Sequence, residues 1–324
     1  MLYRSLGKSG IKVSEISLGT WLTYGKTVEK NAAKECFKTA FENGVNFFDT
    51  ADIYAYGESE KVVGEIIQDF TRSDLVLGTK VFFPMSKNPN NKGLSRKHII
   101  ESCNASLKRL KTDYIDLYQC HRYDPETQLE EVISAMDFLV NQGKILYWGV
   151  SQWSAIQICD AGHISKYIGK SRPVSNQPVY NMFNRSLEGE VMNICDRDGL
   201  GIVVWSPLAE GVLTGKYKGG NIPSDSRAAN DQANAFIKNR LKPDKLEKVD
   251  KITEIAKELN LSMSQLALAW CLRKKEISSA ITGASKPEQV IENIKASGVK
   301  IPQLAFDRIE RILNNAPLDQ YADY

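Results

Sequence analysis

The 324-residue sequence is poor in several features that would assign it to particular protein classes. It has only three histidines, His98, His121 and His163, and none has a partner at metal-ligand spacing. No apolar run approaches the ~18 residues that cross a membrane, and the first residues lack the apolar stretch of a signal peptide. We therefore predict no metal site and no direct membrane insertion.

Cysteine pairs and nucleotide-binding glycine motifs are also missing. The six cysteines are scattered, without a Cys-x-x-Cys pair, which predicts buried free thiols in a reducing, cytoplasmic compartment. No GxGxxG, P-loop or GxSxG motif occurs. The 42 basic and 39 acidic residues are well mixed and give a net charge of +3, so we expect no nucleic-acid partner.

What the sequence does have is a regular alternation of short apolar segments and helix-length segments. Eight parallel strands alternating with helices predict a (β/α)₈ TIM barrel, which we expect to form a single domain over residues 1–324. An open, doubly wound sheet is the alternative, but it usually carries GxGxxG after its first strand. The predicted strands span residues 16–20, 45–51, 75–80, 114–121, 145–151, 174–180, 201–208 and 278–285.

Local signals predict several helix ends and two additions to the barrel. Residues 28–43 show helical spacing, with Thr27 as N-cap and Gly44 as the stop, and Gly143 ends another helix. Capping boxes are predicted at Thr127–Glu130 and Ser262–Gln265. Residues 2–14 predict an N-terminal β-hairpin that caps the barrel bottom, and residues 209–245 form a long loop after strand seven, typical of a lid or binding loop.

Four residues that can hold or move a proton stand at predicted strand ends. Asp49, Lys80 and His121 end strands two, three and four, and Tyr54 follows strand two. The C-terminal strand ends of a barrel converge on one rim, where active sites lie. A lysine ammonium lowers the pKa of a tyrosine from about 10, an aspartate anchors the lysine, and a histidine orients a carbonyl. We predict that these four residues are catalytic.

Each of the four also has an ordinary structural explanation. Asp49 could cap a turn, Lys80 could be a solvated strand end, and His121 could be a core histidine. Tyr54 could line a pocket wall without taking part in chemistry. Four such coincidences on one rim are harder to accept than a catalytic site.

Other segments of the same rim could bind a ligand. The stretch Gly283–Gln289 predicts a strand end and a capping box with Pro287 just inside a helix, which could bind phosphate or be an ordinary capped helix. Trp205 could be core, or could offer a flat face to a heteroaromatic ring. Polar side chains that could hold a carboxamide follow strand five and lie on strand six, namely Ser151, Gln152, Asn176 and Gln177.

On these residues the chain resembles the aldo-keto reductases, and within them the voltage-gated potassium channel β-subunit branch and its bacterial relatives. The similarity is carried by residues 3–21, 93–110, 142–154, 205–217, 269–285 and 288–294. It implies that Asp49, Tyr54, Lys80 and His121 match the catalytic tetrad of that family.

The resemblance also implies NADPH/NADP+ as cofactor and assigns most of its contacts. Ser151, Gln177 and Trp205 match positions that hold the nicotinamide. The pyrophosphate would lie along Ser206, Leu208, Gly211 and Lys216, and the adenosine and 2′-phosphate would lie near Arg227, Ser285, Gln289, Glu292 and Asn293. The predicted cofactor site also includes Gly19, Thr20, Trp21, Asp49, Gln152, Pro207 and Gly283.

Four positions depart from the family pattern. Channel β-subunits commonly have asparagine in place of His121 and arginine in place of Gln152. Glu210 stands where a small residue or cysteine is common, and near the pyrophosphate it would weaken or reposition the cofactor. Many relatives have arginine in place of Gln289, which would leave Arg227 and Ser285 to hold the 2′-phosphate.

The sequence therefore predicts an NADPH-dependent reductase of aldehydes or ketones, with Tyr54 as general acid. We expect Trp21, Tyr54, Tyr56, Phe82, Phe83 and His121 to line the pocket for a small carbonyl substrate. A nicotinamide-binding regulatory subunit of a channel-like partner is one alternative, and a lyase that forms a Schiff base on Lys80 is another. The resemblance also suggests a homo-oligomer, as a tetramer or larger.

Overall fold

The computed structural model describes residues 1–21, 30–224, 226–229, 237 and 240–317, with no description of the Arg227 side chain. The predicted cap Thr27 lies outside these residues. Within them, no helix is both long enough and apolar enough to span a membrane.

Eight parallel strands close into a barrel, as predicted. The ring is closed by pairing between the last and first barrel strands, with Ala280 opposite Ile16. A separate antiparallel hairpin of β1 (Tyr3–Ser5) and β2 (Lys12–Ser14) precedes the barrel. The barrel strands in chain order are β3 (Ile16–Gly19), β4 (Phe47–Asp49), β5 (Val76–Val81), β6 (Ile115–Cys120), β7 (Ile145–Val150), β8 (Ser175–Asn176), β9 (Gly201–Val204) and β10 (Ile277–Thr282).

Helices surround the barrel and bury their apolar faces against it. Short 3₁₀ turns follow β4 at Tyr54–Gly57 and β9 at Ala209–Thr214, so both begin at the same rim. The α-helices of the described residues are α1 (Lys30–Glu42), α2 (Glu58–Ile66), α3 (Arg96–Leu110), α4 (Leu129–Asn141), α5 (Ala155–Tyr167), α6 (Glu190–Asp198), α7 (Pro243–Glu258), α8 (Met263–Leu272), α9 (Pro287–Ile294) and α10 (Gln303–Leu313).

The apolar core has two parts, as expected for a barrel filled by its own side chains. The larger part lies between the strands and the helices. The smaller part fills the barrel interior. It consists of Leu6 and Val13 of the hairpin segment and of the strand residues Phe47, Val76, Leu117, Val203 and Ile281. The hairpin therefore closes one end of the barrel, and the opposite end is left for the functional rim.

Two of the predicted helix ends, at Ser262 and Gly143, are correct, and the predicted cap at Thr127 is wrong. Ser262 and Gln265 form the predicted capping box of α8, and Gly143 follows the end of α4 with a left-handed φ of 68°. Thr127 does not cap α4, because its hydroxyl donates to Asp124 Oδ2 at 2.9 Å and the helix begins after Gln128. Two further predictions also need revision. The six cysteines were predicted to be buried, but Cys159 is half-exposed. The loop after β9 was predicted to reach residue 245, but α7 already begins at Pro243.

The hairpin is held to the barrel bottom by a close backbone approach and by one arginine. Gly7 has a φ of +59°, and a Cβ there would lie 2.3 Å from Gly199 O, so only glycine fits. Arg4 donates from Nη2 to Leu272 O at 2.8 Å and from Nη1 to Ile277 O at 2.7 Å. Its Nε donates to Glu15 Oε1 at 2.7 Å, and that glutamate is buried.

We predict that Arg4→Ala destabilises the barrel. The change leaves the carbonyls of Leu272 and Ile277 and the Oε1 atom of Glu15 without this donor, and should lower the free energy of unfolding by about 2–4 kcal/mol. Equilibrium urea denaturation measures this. Lys12→Ala is the matched control, because the Lys12 side chain is exposed and donates to Ser5 Oγ at the surface; equal losses in both variants would refute the assignment to Arg4.

Candidate active site

The barrel places most of the predicted polar residues at the C-terminal ends of its strands. Gly19 and Asp49 end β3 and β4, and Lys80 is the penultimate residue of β5. The sheet ladder continues one residue beyond several strands, because residues there still donate their backbone N–H groups to the neighbouring strand. This fixes the positions of His121, Ser151 and Gln177, with N···O distances of 2.9, 2.9 and 2.8 Å.

Lys80 is the centre of the site. Its side chain is 0 % exposed, and its Nζ donates to Asp49 Oδ2 at 2.6 Å and to Thr50 O at 2.7 Å. The same nitrogen lies 3.3 Å from the Tyr54 hydroxyl. Three of the four predicted catalytic residues are thus in direct contact.

The charges of this cluster shift the pKa values of its members. Burial alone would lower the pKa of Lys80, but Asp49 and Tyr54 outweigh it, so the pKa is raised and the ammonium stays protonated. Burial raises the pKa of Tyr54, and the opposing effect of Lys80 reduces this rise without reversing it. Lys80 thus acts on the pKa of Tyr54 in the direction predicted from the sequence, but burial outweighs this effect, and Tyr54 keeps its proton.

His121 lies beside this cluster and is held neutral. Its ring is 5.9 Å from that of Tyr54 and 4.9 Å from that of Phe83, edge to face in both cases. Burial, followed by the charges of Lys80 and Arg122, lowers its pKa well below the usual value. Its Nδ1 is buried without a hydrogen-bond partner. A neutral imidazole has one N–H donor, which suits it to orient a carbonyl oxygen.

The second oxygen of Asp49 is held by amides. Gln177 Nε2 donates to Asp49 Oδ1 at 2.9 Å, and Gln119 Nε2 lies 3.5 Å from the same oxygen. Ser151 Oγ donates to Gln177 O at 2.8 Å. Gln119 was not predicted, although it stands two residues before His121 and therefore faces the same side of the strand.

The turn after Tyr54 is strained. Ala55 and Tyr56 have φ values of 50° and 53°, a left-handed conformation that non-glycine residues adopt at a cost of about 1–3 kcal/mol each. Tyr56 is 68 % exposed. Phe82 and Phe83 are half-buried and pack edge to face, and Trp21 is half-buried at the end of β3. Phe83 packs against His121 of the tetrad and Phe82 packs against Phe83, whereas the pocket wall as a whole stays a prediction.

The segment after β9 runs along the same rim. Trp205 is half-buried and pairs through a single bridge with Val179. Ser206, Ala209 and Glu210 all have positive φ values, of 51°, 47° and 59°. Pro207 is buried and Leu208 half-buried. The Lys216 side chain passes beside Gly211, and its Nζ lies 5.3 Å from the ring centroid of Tyr217.

Glu210 does not stand as an unneutralised charge in this segment. Its side chain is 2 % exposed, and its Oε1 lies 3.0 Å from Arg240 Nη2. Its Oε2 is buried and has no partner within the part of the chain that the structure describes. The negative charge that was predicted to weaken cofactor binding is thus paired with an arginine that the sequence analysis did not identify.

Apart from Arg227, the residues predicted for the adenosine end form a separate group after β10. A Cβ on Gly283 would meet nothing within 4 Å, so the chain is open there. The predicted capping box is wrong, because Lys286 is the N-cap of α9 and no side chain caps it. Instead Ser285 N donates to Gln289 Oε1 at 2.8 Å. Asn293 is buried, and Gln265 Nε2 lies 3.4 Å from Glu292 O. Gln152, after β7, is half-buried with a φ of 59°.

The described residues suit a phosphate-bearing cofactor better than a metal. Ser226 Oγ, directly before Arg227, is buried and has no partner among the described residues, and a phosphate oxygen would satisfy it. Trp205 is half-buried, and Ser151 and Gln177 follow strand ends on the same rim. Across the part of the chain that the structure describes, no three His, Cys, Asp or Glu side chains are grouped to hold a metal ion.

A buried carboxyl next to the tetrad was not predicted. Asp52 is 0 % exposed, and its Oδ2 accepts from Ser102 Oγ at 2.8 Å while its Oδ1 has no partner. Glu60, also buried, accepts from Thr79 and from Arg109 at 2.6 Å each. Burial, reinforced by the charge of Glu60, raises the pKa of Asp52 to about 7.

Comparison with known proteins assigns the class. The sequence matches the model of the aldo/keto reductase family over residues 15–314, nearly the whole chain. The chain belongs to this family, and the barrel with its Lys80–Asp49–Tyr54 contacts agrees with that membership. The resemblance stated from the sequence is thereby confirmed.

Three similar proteins are named as channel β-subunits. The chain is 44 % identical over 323 residues to proteins named "Probable voltage-gated potassium channel subunit beta" from Oryza sativa subsp. japonica and Arabidopsis thaliana, covering 98 % of each chain and 98 % of this one. A protein named "Putative voltage-gated potassium channel subunit beta" from Schizosaccharomyces pombe is 44 % identical over 326 residues. The match covers 98 % of this chain and 94 % of the length of that protein.

We predict that Asp52→Asn stabilises the protein at high pH. Between about pH 4 and pH 7 the folded state keeps the proton on Asp52 while the unfolded chain has lost it, so stability falls as the pH rises through this window. Asparagine removes the penalty and should add roughly 1–3 kcal/mol at pH 8, but little at pH 4. Urea denaturation across this range tests it, with exposed Asp74→Asn as control; a gain that does not grow with pH would contradict the raised pKa.

Proposed function

We propose that the protein is an NADPH-dependent reductase of aldehydes and ketones. Membership of the aldo/keto reductase family supports an oxidoreductase. The observation that carries the finer proposal is the contact of buried Lys80 with both Asp49 and the Tyr54 hydroxyl at the barrel rim. This arrangement provides a proton donor beside a fixed positive charge.

In this proposal each residue of the tetrad has a distinct task. Tyr54 donates its proton to the carbonyl oxygen as negative charge develops there. Lys80 stabilises the resulting phenolate, and Asp49 keeps the ammonium in place. Neutral His121 donates a hydrogen bond to the same carbonyl oxygen and orients it.

The cofactor supplies the hydride, and this chain positions it. We propose that Ser151, Gln177 and Trp205 hold the nicotinamide at the centre of the rim. The segment after β9 would contact the pyrophosphate, and Arg227 with Ser285 would bind the 2′-phosphate. Half-buried Phe82, Phe83 and Trp21, with exposed Tyr56, favour a carbonyl substrate that has an apolar or aromatic body.

A Schiff-base lyase is less compatible with the site. Such a lysine must lose its proton to attack a carbonyl carbon. The raised pKa of Lys80 and its 2.6 Å contact with Asp49 keep it protonated. The contacts of Lys80 therefore favour an electrostatic role over a nucleophilic one.

We predict that Tyr54→Phe abolishes most of the turnover. The ring is kept but the transferable proton is lost, so kcat should fall about 10²–10⁴-fold with aromatic aldehydes. NADPH affinity, measured by fluorescence titration, should hardly change. Tyr167→Phe is the matched control, because it removes the same hydroxyl from a tyrosine that is 91 % exposed at the end of α5, and it should keep its activity. Activity near wild type in the Tyr54 variant would remove that residue from the proposed role.

We predict that Arg227→Ala weakens NADPH but not NADH. Loss of a charged donor to the 2′-phosphate should weaken NADPH by roughly 1.5–3 kcal/mol. Lys218→Ala removes one positive charge from an exposed position of the same segment and should affect both cofactors little. Titration of both nucleotides into the three proteins decides the matter; equal losses for NADPH and NADH would show that Arg227 does not recognise the 2′-phosphate.

The names of the relatives favour a second candidate, a nicotinamide-binding regulatory subunit of a channel-like partner with slow chemistry. The two candidates differ in the rate of cofactor exchange. A working reductase oxidises NADPH repeatedly, whereas a regulatory subunit would oxidise its bound NADPH once and then turn over at least roughly tenfold more slowly. Comparison of single-turnover and steady-state rates with one aldehyde separates them.

A further inference from the structure

A polar cavity of about 250 Å³ lies beside the segment that follows β9. Its walls come from the loops after β8 and β9 and from the start of α7. One wall is rigid, because Asn181 Nδ2 donates to Ser206 O at 2.9 Å and its Oδ1 accepts from the N–H groups of Phe183 and Asn184. The lining residues are Asn181, Phe183, Asn184, Ala209, Val212, Arg240 and Lys245.

Two cationic side chains line this cavity and are incompletely neutralised. Within the described residues Lys245 has no carboxylate at ion-pair distance, and its Nζ instead lies 5.4 Å from the ring centroid of Phe183. Arg240 is paired with Glu210, but a guanidinium has five N–H donors. Burial, followed by the charges of Lys242 and Arg240, lowers the pKa of Lys245, an effect that exposed Asp244 opposes. Among the described residues, the lining of the cavity thus carries an excess of positive charge.

Neutral donors and the helix start add to this preference. The Asn184 side chain accepts the Ser186 hydroxyl on its oxygen, which leaves its amide nitrogen as a donor. Lys245 is the third residue of the 16-residue helix α7, whose N-terminal end carries partial positive charge. An arginine, a lysine and an amide around one small cavity match the acceptor oxygens of a phosphate group.

The cavity shares Ala209 and Val212 with the segment proposed to contact the cofactor pyrophosphate, but it is set apart from the proposed adenosine end. In the closed strand order β8 and β10 lie on opposite sides of β9. The cavity lies on the β8 side, whereas Gly283, Ser285 and Gln289, proposed for the adenosine end, follow β10. We infer that this cavity, lined by Arg240, Lys245 and Asn184, is a second anion site that binds a phosphate-bearing small molecule.

Calorimetric titration of inorganic phosphate into the NADPH-saturated protein tests this site, since the cofactor then fills its own phosphate contacts. Lys245→Gln should weaken phosphate roughly 10- to 100-fold, the effect of losing one charged hydrogen bond. Lys245→Arg should restore most of the affinity. Glu210→Gln should strengthen binding, because it releases Arg240 from its carboxylate. Phenyl phosphate in a parallel titration distinguishes an organic phosphate, which should bind more tightly, from the free ion.

Lys251→Gln is the control, because it removes the same charge from an exposed position of α7 that pairs only with Glu247. It should leave phosphate affinity unchanged. Unaltered affinity in a folded Lys245→Gln protein, or displacement of phosphate by NADPH, would overturn the proposal. If the chain does not bind NADPH at all, the same variant series without it decides, so failure of the proposed function and failure of this site are distinguishable.

Discussion

The burial of one ammonium group sets the conditions for the rest of the active rim. Lys80 has no exposed surface, and an isolated charge in such surroundings is strongly unfavourable. Asp49 provides the counter-charge, Thr50 a carbonyl, and Gln177 fixes the second carboxylate oxygen. Asp49 is the partner that cannot be removed without cost, because loss of one member of a buried ion pair leaves an uncompensated charge. The Tyr54 hydroxyl, 3.3 Å from the ammonium, adds no counter-charge, and its position agrees with the proposed role as proton donor.

The two ends of the barrel differ, because stabilising contacts lie at the lower end and strained backbone lies at the upper end. At its lower end the hairpin fills the interior with Leu6, and Arg4 binds carbonyls of the last helix–strand connection. At its upper end the backbone adopts left-handed conformations at Ala55, Tyr56 and several positions after β9. These conformations cost free energy and persist only where the surrounding structure enforces them. After β9, the hydrogen bond from Asn181 Nδ2 to Ser206 O at 2.9 Å supplies part of that enforcement. The ladder hydrogen bonds that extend past the strand ends hold His121, Ser151 and Gln177 in place.

The sequence predicted the repetitive parts of the molecule and missed those that depend on distant partners. Buried parallel strands repeat a short apolar pattern, so all eight could be placed, and the tetrad followed because strand ends meet at one rim. The Thr127 box failed because Asp124 competes for the same hydroxyl. The Glu210–Arg240 pair joins positions 30 residues apart in the chain and has no local signal. The net pKa of Tyr54 was also missed, since sequence shows the lysine charge but not the burial that opposes it.

The channel-subunit names of the relatives and the reductase proposal are not mutually exclusive, because both would use one site. A protein that only bound a nucleotide would gain nothing from a buried ammonium beside a tyrosine hydroxyl or from a histidine held neutral. As proposed, the two roles differ in how quickly the cofactor leaves, and the segment after β9 is where we expect this rate to be set. There the Glu210–Arg240 pair links the first turn of the segment to the residues just before α7. We therefore propose that the tetrad would serve both roles and that this link influences how long the cofactor is retained.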